Sequence, residues 1–578
     1  DCDTNSEQSD NEEDQNTLGT VNAQTEGALQ EPSSDSVAER TQNSVDQSQR
    51  QNQSQDFSTA ERVRYFYGKN RHKWSSAEPS RTTRVRLHNI VDIDRQVSPP
   101  EFNSIGDAWK LFFADDMLDK IVEHTNGKLI EYRAKFKDIE RSELVPMSNM
   151  ELKALIGLLF YSSVFHSNHE NAEFIFATDG TGREIFRCVM SKNRFLVLLN
   201  CLRFDDSSTR IERLKTDTLA AISELFNEFI KNCKQNFTVG THVCIDEMLV
   251  GFRGRCKFRM YMPNKPTKYG IKVLLLVDCD TFYVYNAYIY HGKGSDGEGL
   301  DDAEKKLGIP SQSVIRLCKG IENSNRNITA DNWFSSIELL NALKERGLTY
   351  LGTIKKNKRE IPPEFQAHKT RTVGSSLFGF TADHTIVSYV TKPKKAVILV
   401  SSMHHNKDID VDTGKPVMII DYNKTKGGVD EVDKKCSIYS CSRRTRRWPM
   451  VLFYRLLDMS GVNAYILHTK FTNQNRTTRG QFLLGLARDL VLPVMKLRVY
   501  NDRMPRELRL TIERVIGPAD MPEPPAKDAI NMAPEVRKTC VICPSRLKRR
   551  TKYSCCKCNK PMCLTCCLQI CNDCKLGH

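Results

Sequence analysis

An acidic residue within a strand-like run marks the first place in this chain that could support chemistry. Asp246 lies inside the apolar stretch of residues 242–250, whose Val, Ile and Leu content is typical of a β-strand. The residues that follow are strongly basic, namely Arg253, Arg255, Lys257 and Arg259. An acid on a strand next to a basic loop favours metal-assisted chemistry on a polyanion.

Two further stretches carry matching acids. Asp331 directly follows the strand-like residues 328–330 and precedes a predicted helix that begins near Ser335. Asp430 and Asp433 are three residues apart, which places both side chains on one face of a helix. Acids from two strand ends and a helix can converge on one or two Mg²⁺ ions, because hard cations take oxygen ligands. Such a pair of ions supports in-line attack at phosphorus.

Spacing alone leaves a plainer interpretation open, since many carboxylates only cap helices or turns. The sequence around the acids favours the catalytic interpretation. Five blocks resemble, in this order, the core of the piggyBac family of DNA transposases, and the resemblance runs from about Lys110 to the C-terminus: CIDEMLVGFRGRCKFRMYMPNKPTKYGIK, NITADNWFSSI, GTIKKNKREIP, DYNKTKGGVDEVD and CSRRTRRWPM.

The resemblance implies the roles of the acids. Asp246, Asp331 and Asp430 would hold two Mg²⁺ ions, and Asp433 would be an additional essential acid. It implies a cut-and-paste reaction that nicks double-stranded DNA at transposon terminal repeats, passes through hairpin intermediates and joins TTAA targets. It also implies a homodimer that holds two transposon ends.

Basic residues near the acids are the predicted DNA contacts: Arg253, Arg255, Lys268, Arg443, Arg444, Arg446, Arg447 and Trp448. A basic cluster is often only a solvated face, but this one closely follows the acids of residues 430–433. Trp448 could stack on a base, or it could be a buried core residue. Gly427 and Gly428 could allow a close approach of backbone to ligand, or could form a plain helical start.

Length and charge bound the class of protein. The 578 residues suffice for several domains, and no run approaches the roughly 18 apolar residues of a membrane span. The net charge of +14 understates the basicity of the body, because the first sixty residues are acidic. A basic body favours a nucleic-acid partner. We expect an intracellular, nuclear protein without a membrane partner. Because the chain opens with Asp1 and not with Met, we also expect it to be a fragment or a processed or trimmed sequence.

The N-terminal hundred residues are predicted to be disordered, acidic to about residue 60 and basic beyond it. The acidic part has too few apolar residues to offset chain entropy. The basic part interleaves cations with Tyr65, Phe66, Tyr67 and Trp74. That mixture could hold phosphates and stack bases, or could be a basic linker.

The remaining pattern predicts an α/β protein. Helical periodicity dominates residues 101–241 and returns after about residue 450, whereas strand-like runs followed by alternating strand and helix fill the middle. This order describes an RNase H-like core, which is also the family's catalytic fold. The predicted divisions are a helical dimerisation and DNA-binding domain in two segments (101–241 and 440–516), a catalytic domain in two segments (242–355 and 417–439), a β-rich insertion (356–416) and a linker (517–536).

The cysteine-rich end, residues 537–578, is the last predicted domain. Of the 20 cysteines in the chain, half fall between Cys540 and Cys574. Eight of them form four Cys-x-x-Cys pairs, the number needed for two tetrahedral Zn²⁺ sites, and these are Cys540, Cys543, Cys555, Cys558, Cys563, Cys566, Cys571 and Cys574. Disulfides are the less favoured alternative in an intracellular chain.

The resemblance implies an interleaved cross-brace. The first and third pairs would bind one Zn²⁺, and the second and fourth pairs the other. A family member has His at the position of Cys566, and Cys567 is an extra thiol beside it, so Cys567 rivals Cys566 as a ligand. Arg546 to Lys552 form a basic run that could serve nuclear import, DNA contact or both.

Two alternatives to a transposase stay open. The chain could be a domesticated DNA-binding protein that keeps the fold and the zinc domain without transposition. It could also be a structure-selective nuclease that cleaves without joining strands.

Overall fold

The computed structural model describes residues 62–80, 104–136, 141–472, 477–501, 503–522, 538–555, 558 and 560–567. The predicted acidic tail and most of the predicted linker, 517–536, lie outside these ranges. Within them, no helix combines the length and the apolar character that crossing a bilayer requires.

A first group of helices lies between residues 105 and 235. Their bounds are α1 Ile105–Lys110, α2 Asp115–Arg133, α3 Asn149–Val164, α4 Ala172–Ile175, α5 Glu184–Val189, α6 Lys192–Cys201, α7 Arg210–Arg213 and α8 Ser223–Gln235. Serine hydroxyls begin three of them, because Ser104, Ser148 and Ser191 each accept a hydrogen bond from the backbone amide three residues on. Local sequence therefore sets where these helices start.

A second group of helices lies later in the chain. Its bounds are α9 Ile309–Cys318, α10 Ile337–Glu345, α11 Val417–Thr425, α12 Gly428–Ile438, α13 Trp448–Thr472, α14 Arg479–Arg498 and α15 Arg506–Ile516. The last three pack on the first group. Trp109 of α1 donates to Ser460 of α13 at 2.9 Å, and a Cβ at Gly157 of α3 would lie 2.6 Å from Val491 of α14. Close helix packing thus joins two distant chain segments.

The strands build one large mixed sheet. Their bounds are β1 Tyr65–Tyr67, β2 Lys73–Ser75, β3 His242–Gly251, β4 Arg259–Tyr261, β5 Tyr269–Asp278, β6 Val284–Ile289, β7 Asn327–Ala330, β8 Thr349–Thr353, β9 Ser376–Phe380, β10 Thr385–Lys392 and β11 Lys395–Ser401. The sheet order is β1-β2-β9-β10-β11-β8-β7-β3-β5-β4, with β6 also paired to β5. Two short strands, β12 Lys538–Thr539 and β13 Arg550–Thr551, pair separately.

The centre of the sheet follows the sequence expectation. β3, β5 and β6 form an antiparallel meander, and β7 and β8 then run parallel to β3. β5 and β6 are buried along nearly their whole length, which explains their continuous apolar sequence. Strands first, followed by strands that alternate with helices, is the order predicted for an RNase H-like core.

The predicted β-rich insertion continues this sheet. β11 pairs antiparallel with β8, and β10 and β9 extend the ladder outward. A second apolar cluster, which includes Leu351, Leu399 and Tyr422, covers these strands where α11 packs on them. The strands of the insertion are therefore attached to the core through backbone hydrogen bonds.

The disorder predicted for residues 1–100 is wrong for residues 62–80. These residues form a hairpin, β1 and β2, that pairs with β9 through Ser75 and Phe380. Trp74 is fully buried and donates to the Glu360 carbonyl at 2.9 Å, while Phe66 packs edge-on against Phe365 at 5.4 Å. This polar segment is ordered because Trp74 and Phe66 pack against residues of the insertion.

Candidate active site and nucleic-acid interface

Two of the predicted acids lie side by side on adjacent strands. Ile245 of β3 pairs with Ala330 at the end of β7, and the two strands are parallel. Asp246 is the next residue on β3, and Asp331 is the first residue after β7. Neighbouring strands are about 4.8 Å apart, so the register itself brings these carboxyl groups together.

Their surroundings disfavour negative charge. Burial, then the neighbouring charge of Glu247 and then that of Asp331 raise the pKa of Asp246 to about 8. Burial also raises the pKa of Asp331, against a hydrogen bond from the Trp333 amide, whose nitrogen lies 2.8 Å from Asp331 Oδ1. Acidic groups held together in a partly dry site repel one another unless a cation joins them.

Lys265 supplies a positive charge beside the third acid. Its Nζ lies 3.6 Å from Asp430 Oδ1 and donates to the Glu247 carbonyl at 3.1 Å. Burial lowers the pKa of Lys265, but the charges of Asp246, Glu247, Asp430 and Asp433 outweigh it, so the net shift is upward. Asp246 and Asp331 thus follow each other's register on adjacent strands, and Asp430 lies beside Lys265, whose ammonium also feels the charge of Asp246.

Asp433 has a second partner. Its Oδ1 lies 3.3 Å from Nη1 of Arg455, a largely buried residue of α13. This ion pair fixes α12 against α13. The structure thus gives Asp433 a positioning contact in addition to its place on the same helical face as Asp430.

A glycine sets how close α12 comes to the sheet. A Cβ at Gly428 would lie 2.9 Å from Cβ of Cys244, two residues before Asp246 on β3. The Cys244 thiol also donates to the Lys426 carbonyl at 3.1 Å. The close approach that we considered for this glycine pair is therefore made to the sheet, and it positions Asp430 near Asp246.

We expect Gly428→Ala to destabilise the protein by about 1–3 kcal/mol, because the added methyl group overlaps Cys244 in a packed interior. Gly427→Ala is the matched control, since a Cβ there would have no heavy atom within 4 Å. Denaturant unfolding of both variants measures the difference. Equal destabilisation of the two variants would contradict the packing role.

The donor set fits a hard divalent cation. Carboxylate oxygens are the ligands that Mg²⁺ prefers, and burial together with mutual repulsion leaves Asp246 in need of a counter-charge. Among the described residues, the three carboxyl groups of Asp246, Asp331 and Asp430 do not place one oxygen each within 4.8 Å of the other two. Two ions about 3.5–4 Å apart span a wider site than one coordination sphere.

The basic loop after β3 is open to solvent. Arg253 and Arg255 are exposed, and so is Lys268 before β5. Phe252 and Phe258, at the two ends of the loop, are buried and anchor it. The cations predicted to contact DNA in this loop are therefore available to a partner.

The arginines of residues 443–447 divide into two pairs. Arg443 donates to the Glu170 carbonyl at 2.8 Å, and Arg447 donates to the carbonyls of Leu199, Asn200 and Leu202. Burial lowers the pKa of Arg447 to about 10. Arg443 and Arg447 thus hold helices together, a correction to their predicted role, whereas Arg444 and Arg446 are exposed.

Trp448 connects the two basic segments. Its ring meets that of Phe258 edge-on, with centroids 5.1 Å apart, and it packs against the main core. Of the two roles considered for this residue, the structure favours packing over stacking on a base. The contact joins the start of α13 to the end of the basic loop.

We expect Arg447→Met to destabilise the fold by about 2–3 kcal/mol, because the carbonyls that it serves lose charged donors. The double variant Arg444→Gln/Arg446→Gln should change stability by less than about 0.5 kcal/mol. It should instead lower the slope of log affinity for DNA against log salt by about 2. Unfolding curves and salt titrations check the two expectations, and an unchanged slope would show that these cations do not contact phosphates.

Four cysteines converge in the C-terminal segment. The sulfur atoms of Cys540, Cys543, Cys563 and Cys566 all lie within 4.8 Å of one another. Tetrahedral zinc with Zn–S bonds of about 2.3 Å separates its sulfurs by about 3.8 Å, so this donor set fits Zn²⁺. The first and third Cys-x-x-Cys pairs meet, as the cross-brace implies. Cys567 lies outside the cluster, and its thiol donates to the Leu564 carbonyl at 3.5 Å.

The second predicted zinc site is described only in part. Cys555 is half-buried and Cys558 is exposed. Cys571 and Cys574, their predicted partners, lie outside the described residues.

Comparison with known proteins decides the family. A family model described as Transposase IS4 matches residues 107–465 of this chain. The chain belongs to this family, in its piggyBac-type branch.

The relatives of this family member include human proteins and a solved complex. It is 22% identical over 381 residues to PiggyBac transposable element-derived protein 3 of Homo sapiens, covering 63% of this chain and 60% of that protein. It is 20% identical to the human PiggyBac transposable element-derived protein 2, covering 68% of this chain and 64% of that protein. The chain thus spans less than two thirds of the length of either human relative.

The structural match is more extensive. The cryo-EM structure of the piggyBac transposase synaptic complex with hairpin DNA aligns with a TM-score of 0.70 and 35% identity. The alignment covers 82% of this chain and 98% of that chain. The mixed α/β fold predicted from the sequence is therefore confirmed.

Sequence reasoning missed two residues of this candidate site. The negative charge of Glu247 raises the pKa of both Asp246 and Asp331. The ammonium of Lys265 lies 3.6 Å from Asp430 Oδ1. Glu247 carries a signal in its direct adjacency to Asp246. Lys265 carries none, because it lies in a turn nineteen residues beyond Asp246 and the fold of that turn brings it back.

Proposed function

We propose that this protein is a cut-and-paste DNA transposase that cleaves and rejoins DNA at transposon terminal repeats and joins TTAA targets. One observation carries the proposal: Asp246 and Asp331 are in register on adjacent parallel strands, and Lys265, 3.6 Å from Asp430, also feels the charge of Asp246. Membership of the transposase family supports it.

The acids have defined tasks in this proposal. Asp246, Asp331 and Asp430 would hold two Mg²⁺ ions, which would activate the attacking water or 3′-hydroxyl and stabilise the leaving oxygen. β3 and β7 hold the first two carboxyl groups at a fixed spacing, and α12 presents the third. The positive charge of Lys265 neutralises part of the charge of these acids.

The DNA contacts in this proposal are the exposed cations. Arg253, Arg255, Lys268, Arg444 and Arg446 would bind phosphates, which supply affinity more than sequence specificity. The two-segment helical bundle would hold two ends in a homodimer, and the zinc domain would contact terminal sequence. A nuclear location and the structural role of two Zn²⁺ ions belong to the same proposal.

The test is excision of a reporter flanked by matched terminal repeats. We expect the purified wild-type chain with Mg²⁺ to excise the reporter and rejoin it at a TTAA site. Binding to the ends without excision would favour a domesticated DNA-binding protein. Cleavage without target joining would favour a structure-selective nuclease.

A further inference from the structure

The hairpin of residues 62–75 presents cations and aromatic rings on its outside. Residues 63–77 contain no Asp or Glu, and Arg64, Lys69, Arg71 and Lys73 are all exposed. Because these positive charges lie on a folded segment, they form a fixed basic surface that attracts polyanions.

The strand geometry places two rings on one face. Tyr65 and Tyr67 are 50% and 51% exposed, whereas Phe66 between them points inward onto Phe365. Residues two apart on a strand are about 6.6 Å apart on the same side. The Lys73 ammonium lies 3.8 Å from the centroid of the Tyr65 ring, so cation and ring share that outer face.

The hairpin is firmly seated at the end of the sheet. A Cβ at Gly68 would lie 2.5 Å from the Arg359 carbonyl, and Trp74 donates to the neighbouring Glu360 carbonyl at 2.9 Å. The Arg359 backbone is so close that any residue with a Cβ would clash at this position, which explains the glycine at Gly68. The aromatic face is therefore held rigidly, without the entropy loss of ordering a loose tail.

A basic loop connects this surface to the acids. The loop after β8 exposes Lys355, Lys356 and Arg359, and the charge of Lys355 acts on Asp331. The same loop supplies the Arg359 and Glu360 carbonyls on which the hairpin sits. Cations thus line a path from the candidate active site to the hairpin.

We propose that the outer face of the hairpin binds single-stranded DNA that leaves the active site. Aromatic side chains on a sheet face stack unpaired bases, and the surrounding cations bind the backbone phosphates. Duplex DNA keeps its bases stacked inside, so it could use the cations but not the rings. The proposal rests on the function proposed above and adds a second binding surface to it.

The experiment measures binding of the full chain to a labelled oligothymidine and to a duplex of equal length. We expect Tyr65→Ala/Tyr67→Ala to weaken oligothymidine binding about 10- to 100-fold and duplex binding less than about threefold. Tyr65→Phe/Tyr67→Phe keeps the rings and should bind like wild type. Replacing the four cations with Gln should lower the salt slope on oligothymidine by about 3.

Matched controls separate the possible failures. Lys305→Gln/Lys306→Gln removes two exposed lysines outside the hairpin and should leave both affinities unchanged. Thermal unfolding and limited proteolysis check that the hairpin of each variant stays folded. Wild-type affinity in the tyrosine double variant, or equal losses on both probes, would overturn the single-strand proposal alone. A wild-type chain that binds neither probe would overturn the transposase proposal as well.

Discussion

Asp331→Asn is expected to lower DNA cleavage by about a thousandfold while leaving affinity for the DNA ends within about threefold of wild type. The amide keeps the oxygen that accepts from the Trp333 amide, so the turn after β7 survives. It removes the charge that would hold a cation beside Asp246. Cleavage of labelled terminal-repeat DNA and fluorescence anisotropy measure the two effects, and Mn²⁺ affinity provides a readout besides activity.

A matched variant tests whether the turn or the charge matters. Asp206 is exposed on the loop between α6 and α7, and its Oδ1 accepts from the Ser208 amide at 2.8 Å, the same local contact. Asp206→Asn should leave cleavage and Mn²⁺ affinity unchanged. If Asp331→Asn weakened end binding as much as cleavage, Asp331 would be a structural residue.

Removal of zinc is expected to unfold the C-terminal segment and leave the remaining domains folded. The apolar cluster of residues 538–567 consists of Cys540, Cys543 and Cys563 with Cys566 packed against them. Because the candidate ligands are themselves the core, metal binding must supply the folding free energy, which is about 10–16 kcal/mol for small zinc domains. Limited proteolysis after chelation should cut this segment first, and unchanged proteolysis would remove the metal from its folding.

Two neighbouring variants identify the ligands. Cys543→Ser should weaken zinc binding at this site by more than about 100-fold, because the cluster loses one of four sulfurs. Cys567→Ser should retain full zinc content, since that thiol lies outside the cluster. Metal analysis of the two purified variants checks this. Loss of zinc from Cys567→Ser, with retention in Cys543→Ser, would reverse the assignment.

The comparison of the two arginine pairs shows where sequence reasoning stops. Arg443, Arg444, Arg446 and Arg447 are equivalent as a run of letters, and nothing local separates them. Their roles differ because the loop between α3 and α4 and the end of α6 present carbonyl groups to Arg443 and Arg447. Which cations are buried was therefore settled by packing between distant segments.

The hairpin of residues 62–75 is also ordered by contacts with a distant part of the chain. The disorder predicted for residues 1–100 included residues 62–80, a segment that cannot form a core by itself. The Glu360 carbonyl and the Phe365 ring, nearly three hundred residues later, supply what Trp74 and Phe66 lack. Local composition reports on the stability of a segment alone and cannot report on a surface that the rest of the chain provides.

The sequence by itself determined which residues carry chemistry and which elements bear them. An Asp inside one strand-like run and another directly after a second run, the helical spacing of Asp430 and Asp433, and the paired cysteines are all local patterns in the sequence. Tertiary structure alone decided the distances between them. The parallel register of β3 and β7 makes Asp246 and Asp331 neighbours, the approach of Gly428 to Cys244 brings Asp430 near, and a turn returns Lys265 to the acids. Such contacts depend on long-range packing, which no short stretch of sequence encodes.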